Sequence, residues 1–409
     1  MPAEYGFWEN IKKVVTMKVR PSDRISGVKE YYFSAKLKEI ARLKQSGKPI
    51  INLGIGSPDQ PPHPRVREVL CRESARDEGH GYQSYYGIPE LREAYSRWYA
   101  ARFDVTIDPS EEVLPLIGSK EGIMHISMSF LNPGDEVLVP DPGYPTYQSA
   151  TALAGGVNRL YDLEASRGWL PDLEKLAQED LSRVRLMWVN YPHMPTGARA
   201  DAAFWSELVR FGNEHEILIC HDNPYNFILN PTPQTIFAVD GARDCCLELN
   251  SLSKSHNMAG WRIGAIIGKE CFLSQIIKFK SNMDSGMFRP VQLAAVEALD
   301  LDDSWYDSLN AMYRERKEIA YRILEELGCS YEKDQAGLFV WARVPDIYAD
   351  GYALSDEMLY EADVFLTPGG IFGRQGEPYV RISVCMDVEI LEEARMRIHA
   401  LVHTKNGTQ

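Results

Sequence analysis

The chain predicts an α/β fold, with a large domain on a mostly parallel central sheet flanked by helices and a smaller α+β domain beside it. Three observations predict this. Short apolar runs (EVLVP, RVRLMWVNYP, EILICHDNPY, CCLELNSLSK and RIGAIIG) recur between helix-like segments such as FWSELVRFGNEH, and strands alternating with helices build parallel sheets covered on both faces. The 409 residues exceed one ordinary core, so two lobes are expected. After about residue 300 a long helix pattern, SWYDSLNAMYRERKEIAYRILEELG, leads into a shorter strand-and-helix segment holding GLFVWARVP and YVRISV.

In chain order, residues 1–50 read as an N-terminal arm that joins the small domain, with a helix YYFSAKLKEIARLKQ ended by Gly47 and Pro49. Residues 51–300 form the large domain, opened by the helical spacing of LREAYSRWYAARF. Residues 301–409 form the C-terminal small domain. Neither an internal repeat nor a low-complexity linker interrupts them.

Composition narrows the function. Hydrophobic residues make up 44% and charged residues 25%, and the net charge is -14, which argues against a broad nucleic-acid footprint. Seven scattered cysteines without a CxxC pair suggest neither a zinc ribbon nor a disulfide framework. The stretch MPAEYGFWENIKKVV has no uninterrupted apolar core, and no apolar run approaches the ~20 residues of a membrane span. A reducing cytoplasm is the expected location. There is no GxGxxG, GxxxxGK[ST] or HExxH motif, and the nine histidines show no metal spacing.

In an open parallel sheet, ligands bind at the carboxyl ends of the strands. Those ends are DPGYPTY after EVLVP, NYPHMPTG after VRLMWV, HDNPY after ILIC, and SLSK after LELN. In SLSKSHNMAGWRIG, Lys254 follows a buried strand among small and hydroxyl residues. A lysine desolvated there has a lowered amine pKa and can attack a carbonyl to form a Schiff base. Ser251, Ser253 and Arg262 offer donors for a phosphate. An isolated lysine would read as an exposed loop residue, but S-x-S-K followed by G-x-R-x-G is far more restrictive.

The segment resembles the cofactor-lysine signature of class I/II aminotransferases, pyridoxal-phosphate enzymes of fold type I. The motifs fall in family order from about residue 50 to Arg381. The nearest likeness is to the branch of aspartate, alanine and LL-diaminopimelate aminotransferases. By this resemblance Lys254 carries pyridoxal 5'-phosphate as an internal aldimine and acts as general base and acid. Asp222 lies beneath the pyridine nitrogen and Tyr225 donates to the phenolic oxygen. Gly118, Ser119 and Lys120 in IGSKEG open a helix onto the phosphate, although capping by Ser119 would explain the same residues. Lys120 is also a candidate for a distal substrate carboxylate.

Tyr144 is implied to stack on the ring, with Tyr147 assigned to packing. In GYQSYYGIPELREA, Tyr82 is implied to reach the phosphate of a neighbouring subunit, which makes the expected unit a homodimer with shared sites. Arg381 of YVRISV is implied to bind the substrate α-carboxylate, with the backbone at Ile55 and Gly56 closing over it. Asn282 and Arg289 of SNMDSGMFRP are candidates to line the pocket for the substrate side chain, without an assigned role.

One position departs from the pattern. The family turn N-P-T-G reads M-P-T-G here, so Met194 stands where an asparagine would donate to the phenolic oxygen. Methionine cannot donate a hydrogen bond, and Met194 is expected to pack beside the ring. The resemblance implies amino transfer between an L-amino acid and a 2-oxo acid. A carbon–sulfur β-lyase or ACC-synthase-like lyase shares every cofactor residue and is the alternative. A non-catalytic cofactor-binding regulator is more remote, because an acidic chain of this length has no room for a DNA-binding domain.

Overall fold

The central sheet grows from mostly apolar strands, and the carboxyl ends of its inner parallel strands meet one cleft. In the computed structural model, which describes residues 19–26 and 32–406, thirteen strands are ordered along the chain. They are β1 (Ile51–Asn52), β2 (Val113–Leu116), β3 (Glu136–Asp141), β4 (Val157–Asp162), β5 (Val184–Val189), β6 (Leu218–Asn223) and β7 (Cys246–Ser251). Then follow β8 (Gly264–Gly268), β9 (Ser330–Tyr331), β10 (Phe339–Arg343), β11 (Val364–Phe365), β12 (Thr367–Pro368) and β13 (Tyr379–Ser383). Seven form the large sheet in the order β2-β8-β7-β6-β5-β3-β4, and four form a second sheet, β12-β13-β10-β9.

The large sheet is parallel except at β8, which runs antiparallel to both β7 and β2. RIGAIIG was therefore right as a strand, and its reversal lets the cofactor-lysine segment turn back beside β7. Two strands were not anticipated from the sequence. β2 contains Pro115 and sits at an edge, where proline is tolerated. β4, the opposite edge, mixes apolar with polar residues and buries only Tyr161.

Apolar clusters pack both faces of this sheet. Trp188 of β5 is fully buried and stacks on Tyr147, ring centroids 5.0 Å apart. A separate cluster fills the second lobe and joins Ile51 and Leu53 to Tyr313, Leu324, Val340 and Ile382. β1 pairs in parallel with β11, so the chain at residue 51 is stitched to the C-terminal part. The helix Tyr32–Gln45 covers that seam through Ile40, which packs with Ile50, Leu359 and Phe365. The arm expected before it falls largely outside the described residues.

Candidate active site

β7 runs straight into a short helical turn, Leu252–Ser255, which Ser251 caps by accepting the Ser253 N–H at 3.2 Å. That turn aims Lys254 into the cleft. Burial is the main cause that lowers the pKa of its amine, and the cations of Arg381 and Arg262 lower it further. Lys254 Nζ donates to the Gly56 carbonyl at 2.6 Å.

β6 brings Asp222 to the same cleft, 5% exposed. Its Oδ2 accepts the Tyr147 hydroxyl at 2.8 Å, while its buried Oδ1 has no hydrogen-bond partner. Burial pushes this carboxyl up to about 6, against the opposing pull of the Tyr147 hydrogen bond and the nearby His221. A buried carboxylate oxygen left bare is costly unless a cationic donor meets it. The protonated nitrogen of a pyridine ring is such a donor.

The end of the cleft at the helix start is mostly backbone. Gly118 has φ +81°, and a Cβ there would lie 2.0 Å from Arg262 Nη2, so only glycine lets the guanidinium cross the helix start. The helix Ser119–Phe130 begins at this point with its N–H groups facing the cleft. Arg262 is itself held by donating from Nη1 to the Ala259 carbonyl at 2.9 Å.

The opposite end is mostly side chains. Arg381 of β13, 4% exposed, donates through Nη2 to the Gly54 carbonyl at 2.9 Å and through Nη1 to Met194 Sδ at 3.3 Å. Its guanidinium lies 3.7 Å from the Phe339 ring centroid and 4.7 Å from that of Phe372. Two aromatic faces hold the fork in one plane, the arrangement a bidentate carboxylate contact requires.

These walls enclose a cavity of about 530 Å³ lined by Ile55, Gly56, Ser119, Lys120, Tyr144, Met194, Asp222, Tyr225, Ser251, Ser253, Lys254, Arg262 and Arg381. Gly118 borders it beneath Arg262. Lys120 Nζ sits 5.9 Å from the Tyr144 ring centroid, and burial raises the Tyr225 phenol well above its usual range. Tyr82 is not brought in: it is 94% exposed on this chain. Arg289 pairs with Glu90, and Asn282 donates to the Lys278 carbonyl, both outside the cavity. A larger groove of about 1150 Å³ lies between Phe103 and Trp205, but none of the residues named above lines it.

Sequence reasoning missed four contributors, one of them Phe339 against Arg381. Tyr147 not only packs, as expected, but also holds Asp222. Asn190 donates to the Asp222 carbonyl and accepts the Met194 N–H at 2.8 Å, which ties the NYPHMPTG turn to β6. Phe372 flanks Arg381 from a glycine-rich loop, PGGIFG, whose composition was the available signal.

A phosphate-bearing pyridine cofactor fits these walls, with the bare Asp222 oxygen at one pole and the glycine-opened helix start at the other. That places the chain among pyridoxal-phosphate enzymes of fold type I. It belongs to the family Aminotransferase class I and II, whose signature matches residues 48–398. It is 41% identical over 377 residues to the LL-diaminopimelate aminotransferase of Desulforudis audaxviator, covering 92% of this chain and 96% of that protein. The enzyme of the same name from Natranaerobius thermophilus is 38% identical over 382 residues, or 93% and 99% of the two chains.

Among solved structures, apo-BacF from Bacillus subtilis matches with TM-score 0.90 at 37% identity, covering 94% of this chain and 98% of that one. A mutant aspartate aminotransferase from Thermus thermophilus matches with TM-score 0.87 at 26% identity, covering 94% and 100%. The chain is a pyridoxal-phosphate-dependent aminotransferase, and the lyase alternative is not favoured. No helix among the described residues is long and apolar enough to cross a membrane.

Proposed function

We propose that this enzyme transfers the amino group of an L-amino acid bearing a distal carboxylate to a 2-oxo acid, as a cytoplasmic homodimer. LL-diaminopimelate, the substrate in the relatives' names, is the first donor to test. Lys120 supports the distal carboxylate, since it lines the same cavity as Lys254 and Arg381.

The bound cofactor supplies a protonated pyridine ring that withdraws electrons from the substrate Cα. Asp222 would hold that ring proton through Oδ1, with Tyr147 fixing the carboxylate through Oδ2. Tyr225 would donate to the phenolic oxygen and Tyr144 would cover the ring face, and Met194 forms part of the wall. Gly118, Ser119, Ser251, Ser253 and Arg262 hold the phosphate, with Lys120 at its margin. Arg381 takes the substrate α-carboxylate, and the backbone at Ile55 and Gly56 closes over it and excludes water. Lys254 would hold the cofactor covalently, and its amine is placed to move the proton at the substrate Cα. The lowered pKa of that amine favours its neutral, basic form.

Tyr82 would cross to the phosphate site of a second subunit. Its exposure supports this, as does the exposed apolar surface around it, formed by Tyr85, Tyr86, Met283 and Phe288. The segments carrying these residues touch, because Lys280 donates to the Tyr85 carbonyl at 3.0 Å and His80 meets Phe288 at 5.7 Å.

The observation that carries the reading is the buried Lys254 amine facing the same cavity as the bare Asp222 oxygen. The test is a donor–acceptor screen with cofactor absorbance recorded as each amino acid is added. A dicarboxylic donor should change the spectrum and yield its 2-oxo acid. A spectrum unmoved by every amino acid would overturn the proposal.

A further inference from the structure

Outside the cavity walls, the last residue of β3 grips a loop of the second lobe. Asp141 ends β3 and is 2% exposed. Its carboxyl accepts two backbone N–H groups, that of Gln375 on Oδ1 at 3.0 Å and that of Arg374 on Oδ2 at 3.2 Å. Both donors belong to the glycine-rich stretch PGGIFGRQG, residues 368–376, which leads from β12 towards β13. Two residues past Asp141, the Gly143 N–H donates to the Phe372 carbonyl at 2.8 Å.

The contact is close enough to dictate sequence. Gly373 has φ +140°, and a Cβ there would lie 2.0 Å from Asp141 Oδ1, so only glycine lets the loop backbone lie against the carboxyl. Removing a buried acceptor strands the donors it served, which is costly. The neighbouring Arg374–Asp162 pair, at 3.4 Å, is largely exposed and holds the loop little.

What this grip holds in place is Phe372. Its ring is buried, lines the cavity and forms one of the two aromatic faces on the Arg381 guanidinium. The other face, Phe339, rides on β10, which pairs directly with the Arg381 strand and sets that contact within the second lobe. Phe372 has no such strand beneath it and depends on the loop that Asp141 and Gly143 pin. Asp141 itself does not line the cavity. We propose that Asp141 is a positioning residue for the carboxylate end of the cavity. By docking the 368–376 loop on the end of β3 it holds Phe372 against Arg381 and keeps the guanidinium plane set for a carboxylate. The role deepens the proposed function and rests on the reading of Arg381 as the α-carboxylate partner.

Structure and ligand binding test the role separately. In a crystal structure of the Asp141→Ala holoenzyme the loop should leave β3, and the Phe372 ring should lose its place on Arg381. An unmoved ring overturns the proposal, whatever Arg381 binds. The second arm titrates maleate, a dicarboxylate with no amino group to transfer, against the cofactor absorbance. Its Kd should rise about tenfold in Asp141→Ala, the worth of one desolvated cation–π contact, while cofactor affinity stays level. Asp141→Asn keeps an acceptor for one N–H and should fall between. Phe372→Ala should raise Kd by a similar factor, and adding Asp141→Ala to it should raise Kd little further, because both changes act through one ring. Effects that simply multiply, or a Kd unmoved in Asp141→Ala, overturn the proposal. Cofactor lost in step with maleate marks a general structural role and overturns it as well. If Asp141→Ala does not fold, the isosteric Asp141→Asn carries both arms. A wild-type enzyme that does not bind maleate overturns the Arg381 reading and, with it, the purpose assigned to the grip.

Discussion

The two ends of the cavity are built on different principles. The phosphate end is backbone and short range: Ser251, Ser253, Lys254 and Arg262 come from one stretch of chain, crossing a single glycine at the start of a helix. The carboxylate end is side chain and long range: Arg381 reaches Gly54 across 327 residues and Met194 across 187. One end is fixed as soon as β7 and β8 pair. The other exists only when the second lobe packs its own sheet against the strand ends of the first. Cofactor attachment is therefore expected to tolerate changes that ruin substrate binding.

The largest effect should come from breaking the first end. Lys254→Ala removes both the attachment point and the proton carrier, so kcat should fall by about 10³-fold or more. The absorbance of attached cofactor should vanish with it. A normal spectrum in this variant would remove Lys254 from the centre of the scheme. Breaking the second end should look different. Arg381→Ala should keep the cofactor spectrum yet lose about 100-fold in kcat/KM, mostly through KM, because a buried charged contact of this kind is worth about 2–5 kcal/mol. Arg381→Lys should rescue little, since an ammonium cannot copy a planar fork held between Phe339 and Phe372. Equal damage to the spectrum in both variants would erase the distinction between the ends.

Legibility followed the same division. The phosphate end could be read because its donors sit at fixed short spacings, S-x-S-K and G-x-R-x-G, each dictated by backbone that must pass close to a ligand. The strands feeding it were legible as apolar runs, whereas β2 and β4 were not: Pro115 interrupts β2, and β4 at the opposite edge mixes apolar with polar residues. The aromatic clamp on Arg381 could not be read. Whether Phe339 and Phe372 face a guanidinium or a core is decided by how β10 packs beside β13, and phenylalanine serves equally in both settings. Tyr147 is the same problem in miniature, because stacking on Trp188 accounts for its ring and gives no hint of what its hydroxyl does.

Tyr147 lies between the two ends and offers an intermediate test. Its hydroxyl favours the ionised form of Asp222, whose carboxyl burial has already raised from 3.8 to about 6. In Tyr147→Phe that carboxyl should rise further, so the acid limb of the rate profile should move to higher pH. Activity near neutral pH should drop by about tenfold, the equivalent of one lost hydrogen bond to a charged group. The sign for stability follows from the same shift. Cofactor-free folded protein holds the Asp222 proton more tightly than the unfolded chain does. The contribution is full below about pH 4 and is lost as pH climbs through about 6. Thermal melts of the cofactor-free protein should therefore show a steeper loss over that window in Tyr147→Phe than in wild type. An unchanged acid limb would show that the hydroxyl does not govern Asp222.

The smallest effect is expected where the two ends meet, at Met194. Its N–H is held by Asn190 from the large sheet, and its sulfur receives a hydrogen bond from Arg381 of the second lobe. Its side chain also packs in the apolar cluster that contains Tyr225 and Phe339. Replacing it with asparagine trades those apolar contacts for a donor and an acceptor. The amide oxygen can keep the Arg381 contact, so KM should change only about two- to threefold, within the modest worth of one exchanged hydrogen bond. The amide N–H adds a donor on the side of the phenolic oxygen, which stabilises negative charge there. The pH at which the bound cofactor's absorbance changes should therefore fall, by less than about one unit. Lost burial should lower stability by about 1–2 kcal/mol, read as a small drop in Tm. If the absorbance transition stays level or moves up, Met194 belongs to the carboxylate end alone and has no hold on the cofactor.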